Sequence, residues 1–337
     1  MNILFYVSCT PDPLNGGIER VSYILASEFK KYGYKNYCIY YSELNPDYKS
    51  DVYEKTYYIP YTINDLQSRI KDILEKHHID IVMNQLAYIW PINNAFYDAK
   101  KEINFKLLTV YHNNPIENHY IIEDRINKHR NSLKGIIRYL VYRLYPHIIY
   151  KRICKTNHKQ LSKDLIFNDF YIYLSPSYIK SVQKNYTIPV STKFKSIPNP
   201  LTFNTFFNIK NYSQKEKVVL FVGRYDELQK RVSRMLFIWK EIENLNKFKD
   251  WKFILIGHGK DKVLYENQIK KLELKQIEMH GKNDPQQFYN RASIFLMTSA
   301  YEGWPMTLVE SMQYGNVPIV YNTYSAVTDI IDNEKNG

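Results

Sequence analysis

The sequence predicts an α/β protein of two domains, each built on a parallel β-sheet with helices on both faces. The chain has 337 residues, and one domain usually takes about 100 to 200 of them. Short apolar runs of strand length alternate with segments that carry the 3.6-residue periodicity of helices. The stretch Pro198-Asn199-Pro200 breaks regular structure, so we place the domain boundary between residues 198 and 199.

The first domain, residues 1–198, begins with the apolar run NILFYVS, which predicts a strand at residues 2–8. Apolar residues then recur at helical spacing from Ile18 to Tyr32, and Gly33 ends that helix. Further strands are expected at 37–42, 55–60, 80–84 and 106–111, with a helix over 64–78. This alternation favours a doubly wound sheet, in which ligands bind beyond the carboxyl ends of the strands.

The second domain, residues 199–337, is predicted to start with a strand at 217–222. A second strand lies in the run WKFILI, and a short third strand in IEMHG is followed by a helix near 285–291. A fourth apolar run ends at Thr298 and Ser299. A short helix is then opened by Pro305 and closed by Gly315, because proline favours the first helical position and glycine the position after the last. A further apolar run begins at Val317.

Composition excludes several classes of protein. Three cysteines at wide spacing indicate neither a disulfide framework nor a zinc site, and we predict no metal site. No apolar run reaches about 18 residues, so no membrane-spanning segment is expected. The N-terminus lacks the basic start of a signal peptide, and a cytoplasmic location is expected. The net charge of +12 is compatible with anionic partners.

Residues 125–163 concentrate that positive charge. They contain eleven Lys or Arg and no Asp or Glu. Apolar residues within them form one helical stripe, and Lys134, Arg138 and Arg143 lie off it. Two interpretations stay open: a helix that packs on the first domain with its charges in water, or an amphipathic helix on an anionic membrane surface. No nucleic-acid-binding motif accompanies the charge, so nucleic acid is not an expected partner.

A candidate anion site lies in the second domain. Glu302 precedes the short helix and Glu310 lies within it, eight residues later. Between them are the backbone N–H groups of Met306, Thr307 and Leu308, at a helix N-terminus that favours phosphate. If a diphosphate binds there, the two carboxylates can accept hydrogen bonds from sugar and ribose hydroxyls beyond its two ends.

The segment EGWPMTLVESMQYGNVPI resembles the E-x7-E segment of the retaining nucleotide-sugar glycosyltransferases of family 4, which have the GT-B fold. The resemblance implies that Glu302 contacts the transferred sugar and Glu310 the ribose. It assigns the diphosphate to the Met306–Leu308 amides, and Gly303 belongs to the same donor-binding loop. It also implies two Rossmann-like domains facing a cleft.

Matches elsewhere in the chain extend the resemblance. GGIERV follows the first strand as in the family, which places the amides of Gly16 and Gly17 near the donor phosphate. His112 follows the strand at 106–111, where the family has a histidine near the donor sugar. Gln85, at the end of the preceding strand, is a weaker candidate for contact with the acceptor.

Arg224 and Lys230 follow the first strand of the second domain. A short loop could fold both cations onto one anion, Arg as a bidentate fork and Lys as a point charge. Their surroundings resemble the diphosphate-binding loop of the family, which gives both residues a donor-binding role.

The resemblance implies transfer of a hexose-type sugar from a nucleoside diphosphate sugar to a hydroxyl acceptor, with retention at the anomeric carbon. The donor is a substrate, and no cofactor is expected. The acceptor is expected to be a glycan or a lipid-linked glycan in bacterial surface-polysaccharide synthesis, met by a cytoplasmic protein at the inner face of the membrane. Relatives continue beyond the position of Gly337, so either the sequence is truncated there or the second domain lacks its closing elements.

Two other functions are also compatible with the sequence. One is a nucleotide-sugar epimerase on the same architecture. The other is a non-catalytic scaffold that binds a membrane surface through residues 125–163.

Overall fold

A computed structural model describes residues 1–116, 132–188 and 191–337, apart from the side chain of residue 149. Its contacts divide the chain into two units. The first comprises Met1–Ile116 and His147–Thr202, and the second comprises the described residues 132–146 together with Phe203–Gly337. The part of the predicted basic segment at residues 125–131 lies outside the described residues.

Seven parallel strands form the sheet of the first unit, in the order β3-β2-β1-β4-β5-β6-β7. Their bounds are β1 Asn2–Cys9, β2 Lys35–Ser42, β3 Lys55–Tyr58, β4 Ile81–Asn84, β5 Lys106–Tyr111, β6 Phe170–Tyr173 and β7 Phe194–Ser196. Alternate side chains of β1 point to opposite faces: Leu4 and Tyr6 join one core, and Ile3 and Phe5 join the other. Strands buried on both faces read as continuous apolar runs, which explains why the sequence reveals them.

Five described helices belong to the first unit. They are α1 Gly17–Lys31, α2 Leu66–Lys76, α3 Trp90–Ala99, α5 Pro146–Phe167 and α6 Pro176–Tyr186. Side chains of α2 and α3 pack in the core that contains Leu4, and side chains of α1 pack in the core that contains Phe5. The unit is therefore doubly wound, as predicted.

Five parallel strands form the sheet of the second unit, in the order β10-β9-β8-β11-β12. They are β8 Glu216–Val222, β9 Lys252–Ile256, β10 Ile277–Met279, β11 Ala292–Met297 and β12 Val317–Val320. The helices of this unit are α4 Leu133–Leu144, α7 Glu227–Lys230, α8 Val232–Glu243, α9 Lys262–Lys271, α10 Gln286–Arg291, α11 Met306–Gln313 and α12 Val327–Ile330. Short 3-10 turns occur at Ile209–Gln214 and Asn246–Phe248.

The predicted fold class is confirmed: both units are parallel α/β sheets with a core on each face. In both, the strand order reverses beside the first strand, at β1 and β4 in one unit and at β8 and β11 in the other. Connections leave such a point in opposite directions and open a crevice at the carboxyl edge, where ligands bind. No described helix combines the length and the hydropathy that crossing a bilayer requires.

Candidate functional site

The predicted residues of the second unit lie around its reversal point. Strand β8 pairs with β9 on one side and with β11 on the other. Arg224 and Lys230 follow β8, and Glu302 follows β11. Because parallel strands end at the same edge of a sheet, these loops meet where a ligand crevice is expected.

The loop after β8 is organised by a short helix. Asp226 caps α7, since its side chain accepts hydrogen bonds from the backbone N–H groups of Leu228 and Gln229. Arg231 adopts a left-handed conformation (φ 51°) and separates α7 from α8. Lys230 is thereby held at the end of α7 with only 8% of its surface exposed.

A turn at residues 257–259 packs backbone to backbone against the same loop. The N–H of Tyr225 donates to the carbonyl oxygen of His258 at 2.8 Å. Gly257 has φ +151°, and a Cβ built there would lie 1.8 Å from the carbonyl oxygen of Gly223. Glycine at 257 therefore permits a close approach that positions the loop carrying Arg224.

A buried ion pair joins the two loops. Lys230 Nζ lies 2.6 Å from Glu302 Oε1, and the side chains are 10% and 7% exposed. Gln229 Nε2 donates to the other oxygen of Glu302 at 3.3 Å, and Arg224 donates to Gln229 Oε1 at 2.8 Å. The structure thus connects Arg224, Lys230 and Glu302 in one network. Gln229, which links them, carries no signal in the sequence because its role depends on the loop after β11.

The helix predicted after Glu302 is α11, and it begins one residue later than expected. Pro305 is the N-cap residue (φ −69°, ψ 104°), and Met306 is the first helical residue. The N–H of Leu308 donates to the carbonyl oxygen of Pro305 at 3.1 Å, so this amide is used within the helix start. Met306 and Thr307 supply the first N–H groups of the helix, which have no carbonyl four residues earlier in it.

Glu310, the second predicted carboxylate, is 2% exposed. The hydroxyl of Tyr289, on α10, donates to Glu310 Oε2 at 3.0 Å. A buried carboxylate needs such donors, and this one holds the side chain in a fixed direction. The sequence gives no indication of the pair, because α10 and α11 are brought together only by packing in the same core of the second unit.

Replacing Tyr289 with Phe is expected to lower the free energy of unfolding by about 1.5 to 3 kcal/mol, since a hydrogen bond to a charged acceptor is lost. Tyr225→Phe is a matched control, because that hydroxyl is equally buried and donates to the neutral carbonyl of Leu255 at 3.2 Å. Its loss is expected to cost about 0.5 to 1.5 kcal/mol. Urea unfolding measures both, and a smaller effect at Tyr289 than at Tyr225 contradicts the assignment.

The first unit places its predicted residues at an equivalent edge. Helix α1 begins at Gly17 with Gly16 as its N-cap residue. Glu19, in the first turn, is 3% exposed and accepts hydrogen bonds from the hydroxyl of Ser8 and, at 3.2 Å, from the N–H of Cys9. This carboxylate fastens the start of α1 to the end of β1. A Cβ on Gly16 would lie 2.7 Å from its Oε2 atom, so the glycine leaves room for the anchor.

His112 and Gln85 are brought together by neighbouring strands. Gln85 follows β4, His112 follows β5, and the two strands are paired. His112 Nε2 lies 2.6 Å from Gln85 Oε1. An amide oxygen only accepts, so with this orientation of the amide Nε2 carries the proton and Nδ1 is the acceptor. Burial lowers the pKa of His112 to about 4, which keeps the ring neutral at pH 7.

A lowered histidine pKa makes stability depend on pH. The unfolded chain, with a histidine pKa of about 6.5, binds more protons than the folded chain between pH 6.5 and 4, so stability falls as pH falls through that window. From pH 7 to 5, wild type is expected to lose about 1 to 2 kcal/mol more than His112→Asn. Denaturant unfolding at the two pH values tests this, and equal losses in the two proteins contradict it.

A cavity of about 580 Å³ also occurs in the second unit, lined in part by Phe207, Asp284 and Tyr314. None of the predicted site residues lines it. Tyr314 follows the C-terminal end of α11, whereas Glu302 precedes its N-terminal end. The cavity therefore lies toward the opposite end of this helix from the candidate site.

Residues 202–337 match the family model described as "Glycosyl transferases group 1". The chain is 30% identical over 125 residues to the amylovoran biosynthesis glycosyltransferase AmsD of Erwinia amylovora, a match that covers 36% of this chain and 34% of the relative. It is 27% identical over 190 residues to the lipopolysaccharide 1,6-galactosyltransferase of Salmonella typhimurium, covering 54% of this chain and 50% of the relative.

A third relative is an α-1,4-N-acetyl-D-galactosaminyltransferase of Campylobacter jejuni, whose name specifies a PP-undecaprenol-linked saccharide. It is 26% identical over 161 residues, covering 48% of this chain and 44% of the relative. The matches thus span about a third to a half of the length of these relatives.

Solved structures match nearly the whole chain, and two of them illustrate the similarity. The apo form of the lipopolysaccharide outer core galactosyltransferase WaaB has a TM-score of 0.64 at 17% identity and covers 100% of this chain and 85% of that one. The sucrose-phosphate synthase of Thermosynechococcus elongatus has a TM-score of 0.70 at 14% identity, covering 98% and 83%. The fold is therefore that of the GT-B glycosyltransferases. Within it, the second unit is similar in sequence to the group 1 glycosyl transferases.

Proposed function

We propose that the protein is a glycosyltransferase that moves a sugar from a nucleoside diphosphate sugar to a hydroxyl acceptor. The observation that supports this most directly is the Lys230–Glu302 pair at 2.6 Å. It joins a cation and a carboxylate at the reversal point of the sheet, immediately before the N-terminus of α11. The match of residues 202–337 to the group 1 glycosyl transferases supports the same function.

The donor's diphosphate accumulates negative charge as the sugar departs. We assign its stabilisation to Arg224, Lys230 and the first N–H groups of α11, those of Met306 and Thr307. An ammonium has three N–H donors, so Lys230 can bind a phosphate oxygen while it pairs with Glu302. Such preorganised donors are commonly the largest contribution to catalysis, about 3 to 4 kcal/mol each.

The two carboxylates have different roles in this proposal. Glu302 is engaged through both oxygens, by Lys230 and by Gln229, which fixes its plane. A carboxylate held in this way suits the orientation of a sugar hydroxyl, and we assign no covalent nucleophile. Glu310, oriented by Tyr289, accepts from the ribose. Gly303 lies in the loop between Glu302 and α11. For Gly16, Gly17 and His112, the family resemblance supports a role in contacting the donor.

We further propose retention of configuration and independence from metal ions. The bond between the anomeric carbon and the diphosphate oxygen breaks, and the acceptor oxygen bonds to that carbon from the same face. The acceptor's proton passes to the departing diphosphate. The resemblance of the Glu302–Glu310 segment supports this course. Two cations and a helix terminus provide the positive charge that a metal provides in other transferases, so EDTA is expected to leave activity unchanged.

The proposed acceptor is a glycan or a lipid-linked glycan, as the name of the Campylobacter jejuni relative specifies for that enzyme. A lipid-linked glycan would reach the protein at the inner face of the membrane. A cytoplasmic protein that associates with the membrane surface fits this acceptor.

A thermal-shift screen against UDP, GDP, ADP and their sugars tests the proposal, because a ligand that binds only the native state raises the melting temperature. One nucleotide is expected to give a shift that its sugar conjugate shares. That conjugate is then incubated with the protein with and without EDTA, and free nucleotide is measured. No shift at millimolar concentration, together with no turnover of any conjugate, overturns the proposal. Epimerised sugar nucleotide without acceptor indicates the epimerase instead.

A further inference from the structure

Helix α4 turns its apolar side chains away from the protein. Positions 133, 136, 137, 140, 141 and 144 follow one helical stripe. The solvent-exposed fractions of these side chains are as follows: Leu133 78%, Ile136 46%, Ile137 55%, Leu140 53%, Val141 41% and Leu144 70%. The buried residues of the helix are Gly135 and Tyr142, seven positions apart and on the opposite face. An amphipathic helix normally buries its apolar stripe, so this orientation is the reverse of core packing.

Positive charge borders the exposed stripe. Lys134 and Arg138, four residues apart, lie on one side of it, and Arg143 lies on the other; all three are exposed. Residues 132–163 contain eight Lys or Arg and no Asp or Glu.

Helix α5 has a basic face of its own. Its five cations are all exposed and recur at positions 151, 152, 155, 159 and 163, within one third of the helix circumference. Leu161 and Asp164, which are both buried, lie on the opposite side. Along the sequence, positive charge therefore continues from α4 through α5.

We propose that α4 is a membrane-docking helix that lies in the interface of an anionic bilayer, with its apolar stripe among the acyl chains and its cations at the lipid phosphates. An apolar stripe flanked by Lys and Arg inserts about 5 to 10 Å into the boundary between headgroups and chains. Nucleic acid offers nothing to six exposed aliphatic side chains. A second copy of the chain brings like charges together along the contact.

The inference deepens the proposed function, since a lipid-linked acceptor resides in the same bilayer. Docking itself requires neither donor nor transfer. Binding to vesicles without any substrate therefore distinguishes failure of this inference from failure of the glycosyltransferase proposal.

The test is cosedimentation of the full chain with vesicles of phosphatidylcholine containing 30% phosphatidylglycerol, and with pure phosphatidylcholine. Wild type is expected to bind the anionic vesicles at least tenfold more tightly. Ile137→Glu/Leu140→Glu is expected to weaken that binding by more than tenfold. The control Val263→Glu/Leu264→Glu makes the same charge change at two exposed apolar residues of α9 (64% and 46% exposed) and is expected to bind as wild type does.

A second readout reports insertion directly. Wild type and the Leu144→Trp variant share the four native tryptophans. Subtracting the wild-type emission spectrum from that of the variant therefore gives the emission of the tryptophan at position 144. Its emission is expected to shift to shorter wavelength with anionic vesicles. Removing Lys134 and Arg138 together, as Lys134→Gln/Arg138→Gln, is expected to weaken anionic binding roughly fivefold per cation.

The inference is overturned if wild type does not sediment with anionic vesicles, if it binds both vesicle types equally, or if the α4 and α9 variants behave alike. Concentration-dependent self-association without lipid that the α4 variant abolishes, with no vesicle binding, assigns the stripe to a second copy instead. Circular-dichroism melting establishes that each variant is folded. If the Ile137→Glu/Leu140→Glu variant does not fold, the emission shift of Leu144→Trp still tests the inference.

Discussion

Lys230→Met is expected to lower kcat/KM for the donor by at least about a hundredfold, because one preorganised donor to a developing oxyanion is worth about 10² to 10³ in rate. Affinity for the nucleoside diphosphate is expected to fall as well, by roughly tenfold or more, since a charge-assisted hydrogen bond contributes about 1.5 to 3 kcal/mol. The variant also leaves Glu302 buried without its cation, which destabilises the fold by about 3 kcal/mol or more. Steady-state kinetics, nucleotide titration and urea unfolding measure the three effects.

Lys260→Met is the control. Lys260 lies near the same loop and pairs with Asp226 at 3.5 Å, but its side chain is 54% exposed. An exposed pair contributes little, so this variant is expected to stay within about twofold of wild type in kcat/KM. Equal behaviour of the two lysine variants contradicts the role given to Lys230.

Glu302→Gln is expected to reduce kcat by roughly 10² to 10³ while the dissociation constant of the nucleoside diphosphate changes by less than about threefold. The amide keeps the size of the side chain and an oxygen for Lys230, but it loses the charge that orients the sugar and supports positive charge at the anomeric carbon. A turnover loss without an affinity loss separates a sugar contact from a phosphate contact.

The comparison between the two variants decides the geometry. If Glu302→Gln weakens nucleotide binding as much as Lys230→Met does, Glu302 acts on the nucleotide end of the donor and the assigned roles are wrong. Glu278→Gln serves as the charge-matched control, because Glu278 is partly exposed and pairs with Lys252 at 2.8 Å at a different part of the sheet.

The fold was largely predictable from periodicity because each buried strand is a continuous apolar run. The strands predicted at 2–8 and 106–111 correspond to β1 and β5. Helix α3 and strand β7 were not predicted. Residues Trp90–Ala99 mix apolar and polar side chains, so they show no clear helical period. The polar residue Asn93 can be buried in this helix because its amide donates a hydrogen bond to the carbonyl of Ala87. A three-residue edge strand such as Phe194–Ser196 is too short to show a period.

Sequence motifs proposed the residue types of the candidate site but not the contacts between them. Motif positions alone indicated Arg224, Lys230 and Glu302, and the structure joins them in one network. The direct ion pair between Lys230 and Glu302, 72 residues apart, could not be predicted, because it depends on β8 and β11 lying side by side. The same reason hides Gln229 and Tyr289, whose partners come from other elements.

The sequence by itself determined that the chain forms two parallel α/β sheets, that a helix follows Glu302, and that residues 125–163 carry concentrated positive charge. Those features follow from local patterns of hydrophobicity, charge and helix-terminating residues. Only the tertiary structure decided which side chains meet at the reversal of strand order, and which face of α4 is turned outward. A stripe of apolar residues specifies a helix that must cover that stripe, but packing of the whole chain determines whether protein or another apolar phase covers it.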